Sequence, residues 1–576
     1  MAHSPTRTRR KLKQVIPFFL ALIITINQVV WIPYTKVEES FEIHAVHDFL
    51  AYGLRPGSLH KWDHLSFPGA VPRSFLPPVL LGILTWPICS LLVNVGIIRT
   101  KLGVQILIRS VLAFLFSATF AHLQQTVRAR YGSLTRRFFV LFVLGAFHLP
   151  FYAGRTLPNF LALPFVMSSV SLILRSTLSC PELVKQRRLS GAIALLTGLA
   201  TVIRLELALF VFPLTLTLVV TRRLSLMAAL RAGILGGFGS LAISAPLDYY
   251  LWRQVLPHPT LPTFTSTWQI IWPEASSMAY NVLEGGAAEW GIMSRHYYFT
   301  NSLPKLLLGS LPLFLFGLGA WSGVRLGFGN KVKGFKVFSA QWGEVASIFG
   351  PAIITMVGGM SFIGHKEWRF IVYVIPVLNL LAAITAAQMW SYPQKQFRIL
   401  FRLGLVGMVI VNLAVAGGMT WLSSQNYPGG EVWQVLEGLN IPKNATIHFS
   451  SYPLQTGASL FTFLHTSPHG GVFPSTSQPL WVYSKDETPS LLTAQGAWDA
   501  GIDYMVLGVK EGESMVNDHV GWEKVGSVRG FEGIKWTGKW DGKLGTCAEK
   551  GVESSGGWGI KVDRGDKVII LGRKSE

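Results

Sequence analysis

The sequence predicts a polytopic α-helical membrane protein of about eleven transmembrane helices, closed by a smaller α/β or β-rich C-terminal domain. Three observations carry this. Half of the 576 residues are hydrophobic and only 14% are charged, too apolar for an ordinary soluble chain of this size. Apolar runs of roughly 15 to 22 residues, near the length a bilayer demands, recur along most of the chain. After about residue 423 the runs shorten to strand length and Gly, Pro and Asp punctuate them.

The first run extends from about Val15 to Pro33 and follows Arg7, Arg9, Arg10, Lys11 and Lys13. Its apolar core is too long for a signal peptide and no small-residue cleavage site follows, so it reads as a retained helix with its basic side in the cytosol. Further spans are expected at 103–123, 138–152, 158–174, 190–203, 207–220, 228–248, 303–324, 344–363, 370–391 and 403–422. Residues 74–98 are apolar too, but Pro72, Pro77, Pro78 and Pro87 should break them up. Were that segment to span, "RARYGSLTRR" at 128–137 would face the lumen, against the positive-inside rule. A dip and return instead puts the basic loops at 128–137, 175–188, 222–231, 325–336 and 395–402 in the cytosol, and leaves Arg99 and Lys101 luminal or snorkelling. The domains that follow are a cytosolic basic N-terminus at 1–14, a membrane domain at 15–422 with a first luminal loop at 34–102, and a luminal domain at 423–576. In the last, "ATIHFS", "PLWVYS", "DYMVLGV" and "DKVIILGR" read as strands, and Asn444-Ala445-Thr446 is a glycosylation sequon suited to that side.

The net charge of +21 lies in short clusters between apolar runs, so topology accounts for it and nucleic acid is not an expected partner. Cys89, Cys180 and Cys547 are too far apart for a zinc motif or a disulfide framework, and no metal is expected. No phosphate-loop, dinucleotide, zinc-hydrolase or serine-elbow motif appears in the polar segments, which disfavours those chemistries. Those segments all fall on the expected luminal face. Just past the first span, "TKVEESFEIHAVHDFL" sets Glu38 beside Glu39, followed by His44, His47 and Asp48. Adjacent carboxylates there are either plain interface residues or a base whose partial desolvation raises its basicity toward an acceptor hydroxyl. The histidines and Asp48 either contact a polar substrate or line a solvated helix face. "WDHLSFPGAVPRSFLPP" at 62–78 holds Asp63, His64 and Arg73 in a stiff loop, where Arg73 can offer its donor fork to a phosphate or can simply cap the loop. Arg155 and Asn159 in "RTLPN", Arg204 and Glu206 in "IRLEL", and His365, Lys366, Glu367 and Arg369 in "HKEWRF" sit at the ends of apolar runs, where polar groups mark functional sites or pairs. Arg204 and Glu206 are the pair best explained as satisfying a sharp helix break.

In order, "KVEESF", "HDFL", the 62–75 loop, "RTLPN", "WPE" at 272–274, "EWG" at 289–291 and "HKEWRF" resemble the dolichyl-phosphate-mannose-dependent α-mannosyltransferases of glycosyltransferase family twenty-two, of GT-C type. The resemblance covers residues 35 to about 375, and "QTGASLF" at 455–461 extends it into the tail. It implies a GT-C fold for the membrane domain, residence in the endoplasmic-reticulum membrane, and an active site facing the lumen. The implied reaction moves mannose from dolichyl phosphate β-D-mannose to a lipid-linked oligosaccharide of N-glycosylation, Man7GlcNAc2-PP-dolichol, in α-1,6 linkage with inversion and without a cofactor. The family's carboxylate motif falls on Glu38 and Glu39. Distant relatives carry Asp-Glu there, so Glu38 stands at the Asp position and is the expected base. His365, Lys366, Arg369, Arg73 and Arg155 are expected near the donor phosphate. His44, His47, Asp48, Asp63, His64 and Glu274 are expected near acceptor or sugar. "HKEWRF" carries Trp368 where the family commonly has Glu, which implies that an acid is dispensable there. A sibling α-1,2 activity in N-glycan or glycolipid-anchor assembly stays open, as do a secondary transporter and a structural subunit. A transporter would favour inverted repeats, and none is evident.

Overall fold

A computed structural model describes residues 5–69, 71–255, 267–325, 335–466, 471–474, 480–518, 521–536 and 560–574. Cys547 and most of the basic loop expected at 325–336 lie outside the described residues. Each expected span falls on helix. Pro5–Trp31, Lys101–Leu144, Pro158–Ser176, Glu182–Val202, Ala208–Val220, Leu226–Trp252, Ser310–Arg325, Phe335–Phe362, Ile375–Trp390 and Lys395–Ser424 are the principal helices. Among the described residues seven helices are long and apolar enough to cross a bilayer, or up to eight if one bent pair is a single span, and Val15–Trp31 and Leu205–Val220 are shorter apolar helices.

The helices break where the backbone demands it. Lys101–Leu144 turns at Gly132, whose φ of 93° is open to glycine and strained for other residues, so the 103–123 and 138–152 runs become two arms joined by "RARYGSLTRR". Tyr298–Leu307 and Ser310–Gly323 meet at 111°, across Leu308 at φ 48°. The Gly309 N–H freed there donates to the Asn412 side chain (3.0 Å), as an interrupted helix in an apolar medium requires. One expectation is corrected. The proline-rich segment is a continuous helix, Leu76–Asn94. Pro77 and Pro78 occupy the first turn, where an N–H has no intrahelical partner, and Pro87 alone costs an internal bond.

The chain divides into two compact units, one of residues 1–30, 54–85 and 108–419, the other of residues 31–53, 86–107 and 420–576. The first is helical. Phe116, Phe120, Phe139, Leu163, Leu196, Phe210, Ile348 and Tyr373 belong to its continuous apolar core. Its most enclosed span, Trp368–Trp390, is almost wholly buried, whereas Lys395–Ser424 is mostly unburied and shows Leu403, Ile410 and Val411 outward, as lipid contact requires.

The second unit centres on a sheet of β1 (Thr446–Phe449), β2 (Val482–Ser484), β3 (Tyr504–Gly508), β4 (Trp522–Trp536) and β5 (Ile560–Arg573), ordered β2-β1-β3-β5-β4. β1 runs parallel to β2 and β3, and β5 is antiparallel to β3 and β4. Alternation sorts the side chains: Ile447, Phe449, Val506 and Ile570 pack with Trp433 on one face, and Met505, Leu507, Ile569 and Leu571 with Trp522 on the other. Four strands match the sequence expectation. The fifth, β4, carries three register shifts that scramble its alternation. Lys101 does not snorkel: it is buried in this unit, with Nζ 3.2 Å from Thr466 Oγ1 and over the Phe473 ring.

Candidate active site

In the sheet-bearing unit the first apolar helix ends at Trp31, and the chain runs extended to a single 3-10 turn, Val37–Glu39, before helix Ser40–Tyr52. The tight turn points the two adjacent glutamates to different fates. Glu39 is 1% exposed and its Oε1 accepts the Lys36 N–H (3.1 Å), closing the turn. Glu38 is exposed, so the partial desolvation expected of the base is not found there and falls on Glu39 instead; the Glu38 carboxylate has no hydrogen-bond or ion-pair partner among the described residues. The segment in front of them is held at several points. Tyr34 lies against Gly430, where a Cβ would come within 2.3 Å of the ring. Gly457, at φ 131°, presses on the Gly430 backbone. Lys36 Nζ donates to the Asn426 carbonyl (2.6 Å) and sits over Tyr427. "QTGASLF" therefore belongs with "KVEESF" in space: Thr456 Oγ1 accepts the Gly429 N–H, and Phe461 packs 5.1 Å from the His47 ring.

His47 and Asp48 are both buried, with Nδ1 and Oδ1 3.1 Å apart and Phe461 and Phe473 around the imidazole. They stiffen the helix that follows the glutamates. His44 is half-buried, and burial, with the Lys485 charge adding to it, holds its pKa well below 6.5. It presents a neutral imidazole.

In the helical unit the other motifs converge. Asn159 of "RTLPN" donates through Nδ2 to Glu206 Oε1 (2.9 Å) and to the Tyr373 hydroxyl (3.0 Å). Glu206 also accepts from Arg204 Nε (2.8 Å), and the Arg204 guanidinium covers Phe370. The pair sits at the break between Glu182–Val202 and Ala208–Val220. Glu274 of "WPE" accepts the Leu205 N–H (3.2 Å). Burial pushes its carboxyl above the usual carboxylate range, against the pull of Arg204 and Arg73. Arg73 is half-buried, and its backbone is fixed on both sides: its carbonyl accepts from Trp252 Nε1 (2.9 Å), while Asp248 accepts from Ser74 Oγ (2.8 Å) and the Phe75 N–H (2.7 Å). His64 is buried against Phe75 and Trp252, and Asp63 is half-buried at the start of a short helical turn.

The "HKEWRF" residues separate by role. Lys366, 2% exposed, spends its ammonium on the carbonyls of Ile363 and Met293, tying the end of Phe335–Phe362 to the segment after "EWG". Burial, and beyond it the Arg295 charge, draws its pKa below the usual lysine range. Glu367 accepts from Arg369 (2.6 Å) and pairs with His365 (3.2 Å). Arg369 Nε has no hydrogen-bond partner among the described residues. Trp368 packs on His148, Tyr152 and Phe160, in the same aromatic group on which the buried Arg155 stacks. Tyr34, Gln105, Asp248 and Ser459 were not singled out in the sequence; of these Asp248, a carboxylate ending an apolar run, gave a readable signal.

The fold and these clusters define a multi-pass membrane protein of GT-C glycosyltransferase architecture. A crystal structure of ArnT from Cupriavidus metallidurans in the apo state shares that fold, with a TM-score of 0.52 at 11% identity over 89% of this chain and 96% of that one. The chain belongs to the Alg9-like mannosyltransferase family, whose model matches residues 16–420. It is 29% identical over 535 residues to the Dol-P-Man:Man(7)GlcNAc(2)-PP-Dol alpha-1,6-mannosyltransferase of Saccharomyces cerevisiae, covering 87% of this chain and 85% of that one. It is 30% identical over 471 residues to the protein of that name from Drosophila melanogaster, covering 81% of this chain and 60% of that one.

Proposed function

We propose that the protein transfers mannose from dolichyl phosphate β-D-mannose to Man7GlcNAc2-PP-dolichol in α-1,6 linkage, in the endoplasmic-reticulum membrane with its chemistry on the luminal side. The N-terminus at 1–14 is cytosolic, 15–422 is the membrane domain and 423–576 is luminal, a topology that requires Leu76–Asn94, although long and apolar enough to cross, not to span the bilayer. Similarity to relatives of that activity along most of the chain supports the substrates. The observation that carries the chemistry is the split between the two glutamates, Glu38 bare in the 3-10 turn that follows the first apolar helix and Glu39 folded inward to close that turn.

Glu38 acts as the base. Its carboxylate takes the proton of the acceptor 6-hydroxyl as that oxygen attacks the anomeric carbon from the face opposite the phosphate, which inverts β to α. The carbon–oxygen bond to phosphate breaks and its electron pair leaves with dolichyl phosphate, whose developing charge needs preorganised cations. The proton then passes from Glu38 to water. Glu39 supports Glu38 by fixing the turn. Of the cations, Arg369 and Arg73 are the phosphate ligands, Lys366 being committed to backbone carbonyls. His365 adjusts Arg369 through their shared Glu367. His44, Asp63 and Glu274 serve acceptor or sugar, and His47, Asp48 and His64 hold their segments.

The test supplies the purified chain with dolichyl phosphate mannose and lipid-linked glycans of successive sizes. Transfer to the seven-mannose glycan, with an α-1,6 product, supports the proposal. Transfer only to a different acceptor, or an α-1,2 product, refutes it.

A further inference from the structure

We propose that Gln105 is a positioning residue for this reaction, acting through the segment that carries Glu38; the inference rests on Glu38 being the base. Gln105 belongs to helix Lys101–Leu144 and is fully buried. Its Nε2 donates to the Pro33 carbonyl (2.7 Å) and its Oε1 accepts from Ser459 Oγ (3.0 Å). One amide thus bridges the exit of the first helix to the "QTGASLF" turn, and its donor and acceptor sides both have a fixed partner.

Packing alone does not call for a glutamine here. A buried amide is tolerated when its hydrogen bonds are met, and a methionine would fill similar space without that requirement. What the amide adds is direction. Pro33 lies outside any helix or strand, so its carbonyl has no helix or sheet partner, and Gln105 supplies one from a long helix. The Ser459 end is itself fixed, since the Ser459 N–H donates to Thr462 Oγ1 (2.8 Å) and the Thr462 hydroxyl returns to the Ser459 carbonyl (2.8 Å). With Tyr34 against Gly430 and Lys36 on Asn426, residues 33, 34 and 36 are each anchored. Glu38 projects two residues beyond the last anchor. A base must lie within hydrogen-bond reach of the proton it takes, and displacement by about 1 Å costs on the order of 10²-fold in rate. The anchored approach keeps a solvent-facing glutamate at one place.

The experiment uses the full-length chain and compares Gln105→Met, Ser459→Ala and Ser459→Thr for kcat, for KM of donor and acceptor, and for thermal unfolding. Gln105→Met should lower kcat by about 10- to 100-fold with both KM values within about twofold, while the folded fraction is retained. Ser459→Ala should fall in the same direction by less, and Ser459→Thr, which keeps the hydroxyl, should restore turnover. In a Glu38→Gln background the added Gln105→Met change should cost nothing more, because the group it positions is gone. A kcat that falls only with the folded fraction, or a full additional loss in the Glu38→Gln background, overturns the proposal. Normal turnover in Gln105→Met beside an inactive Glu38→Gln sinks this inference alone, whereas normal turnover in Glu38→Gln sinks the base assignment itself.

Discussion

Asn159 joins three segments that lie far apart in the chain, and replacing it measures how much that junction holds. It is buried, and its Nδ2 makes two bonds, to Glu206 Oε1 at 2.9 Å and to the Tyr373 hydroxyl at 3.0 Å. The first goes to a carboxylate and is worth about 1.5 to 3 kcal/mol, the second to a neutral hydroxyl and about 0.5 to 1.5. Asn159→Leu, similar in size, should therefore destabilise by about 2 to 4 kcal/mol, because Glu206 keeps Arg204 at 2.8 Å. Asn159→Asp should cost more. It loses the same donors and sets a second carboxylate against Glu206, adding repulsion on the order of a few kcal/mol at an effective dielectric near 20. Thermal unfolding in detergent, followed by tryptophan fluorescence, ranks the two. Glu206→Gln added to Asn159→Asp should return part of the loss, and a double-mutant cycle isolates that coupling. If Asp proves as mild as Leu, or Glu206→Gln rescues nothing, the contact does not hold these segments.

Three further outcomes follow from the same geometry. Asn444 is exposed in a turn at φ 65° before β1, so with a luminal tail the chain should carry a glycosidase-sensitive glycan that Asn444→Gln removes; a tail that accepts no glycan at Asn444 or at added sequons would contradict the topology. Neutralising Arg369 or Arg73 should lower kcat/KM for the donor by roughly 2 to 4 kcal/mol in transition-state terms, while Lys366→Met should show mainly in stability; unchanged donor kinetics in both arginine variants would place the phosphate elsewhere. His44 has a depressed folded pKa, so its contribution to stability is complete above about 6.5 and is lost as pH falls, by up to about 1.4 kcal/mol per unit; His44→Asn should flatten the acid limb of a stability profile, and an unaltered limb would show that another group sets it.

The positions of the helices were legible because a bilayer imposes length and apolarity on a contiguous stretch, as in 158–174 or 370–391, each of which lies on a helix. What interrupts a helix was less so. Four prolines in 72–87 suggested a broken segment, yet two of them sit where the first turn has no N–H to lose. The 111° bend at Leu308 depends on Asn412, about a hundred residues away, to take the freed N–H. β4 was hidden by its own bulges. At the site, the motif residues could be named from the sequence, but their division of labour could not. Glu38 and Glu39 are adjacent and chemically identical, and a single 3-10 turn decides which is buried. Lys366 and Arg369 likewise look alike as cations until backbone carbonyls claim one of them. Gln105 and Ser459 are 354 residues apart, and nothing local marks either as belonging to the other.

The central claim is that Glu38, and not its neighbour, takes the proton from the acceptor. Glu38→Gln keeps the shape of an exposed side chain and removes its charge, so the fold and acceptor binding should persist. Glu39→Gln retains an amide oxygen able to accept the Lys36 N–H, so the turn should survive it. The decisive measurement is mannose transfer from dolichyl phosphate mannose by the two purified variants at saturating acceptor, with acceptor binding measured alongside. The expected result is a loss of about 10²- to 10⁴-fold for Glu38→Gln and a clearly smaller one for Glu39→Gln, with binding intact in both. Near-normal turnover in Glu38→Gln beside an inactive Glu39→Gln would reverse the assignment, and activity in both would remove the pair from the chemistry.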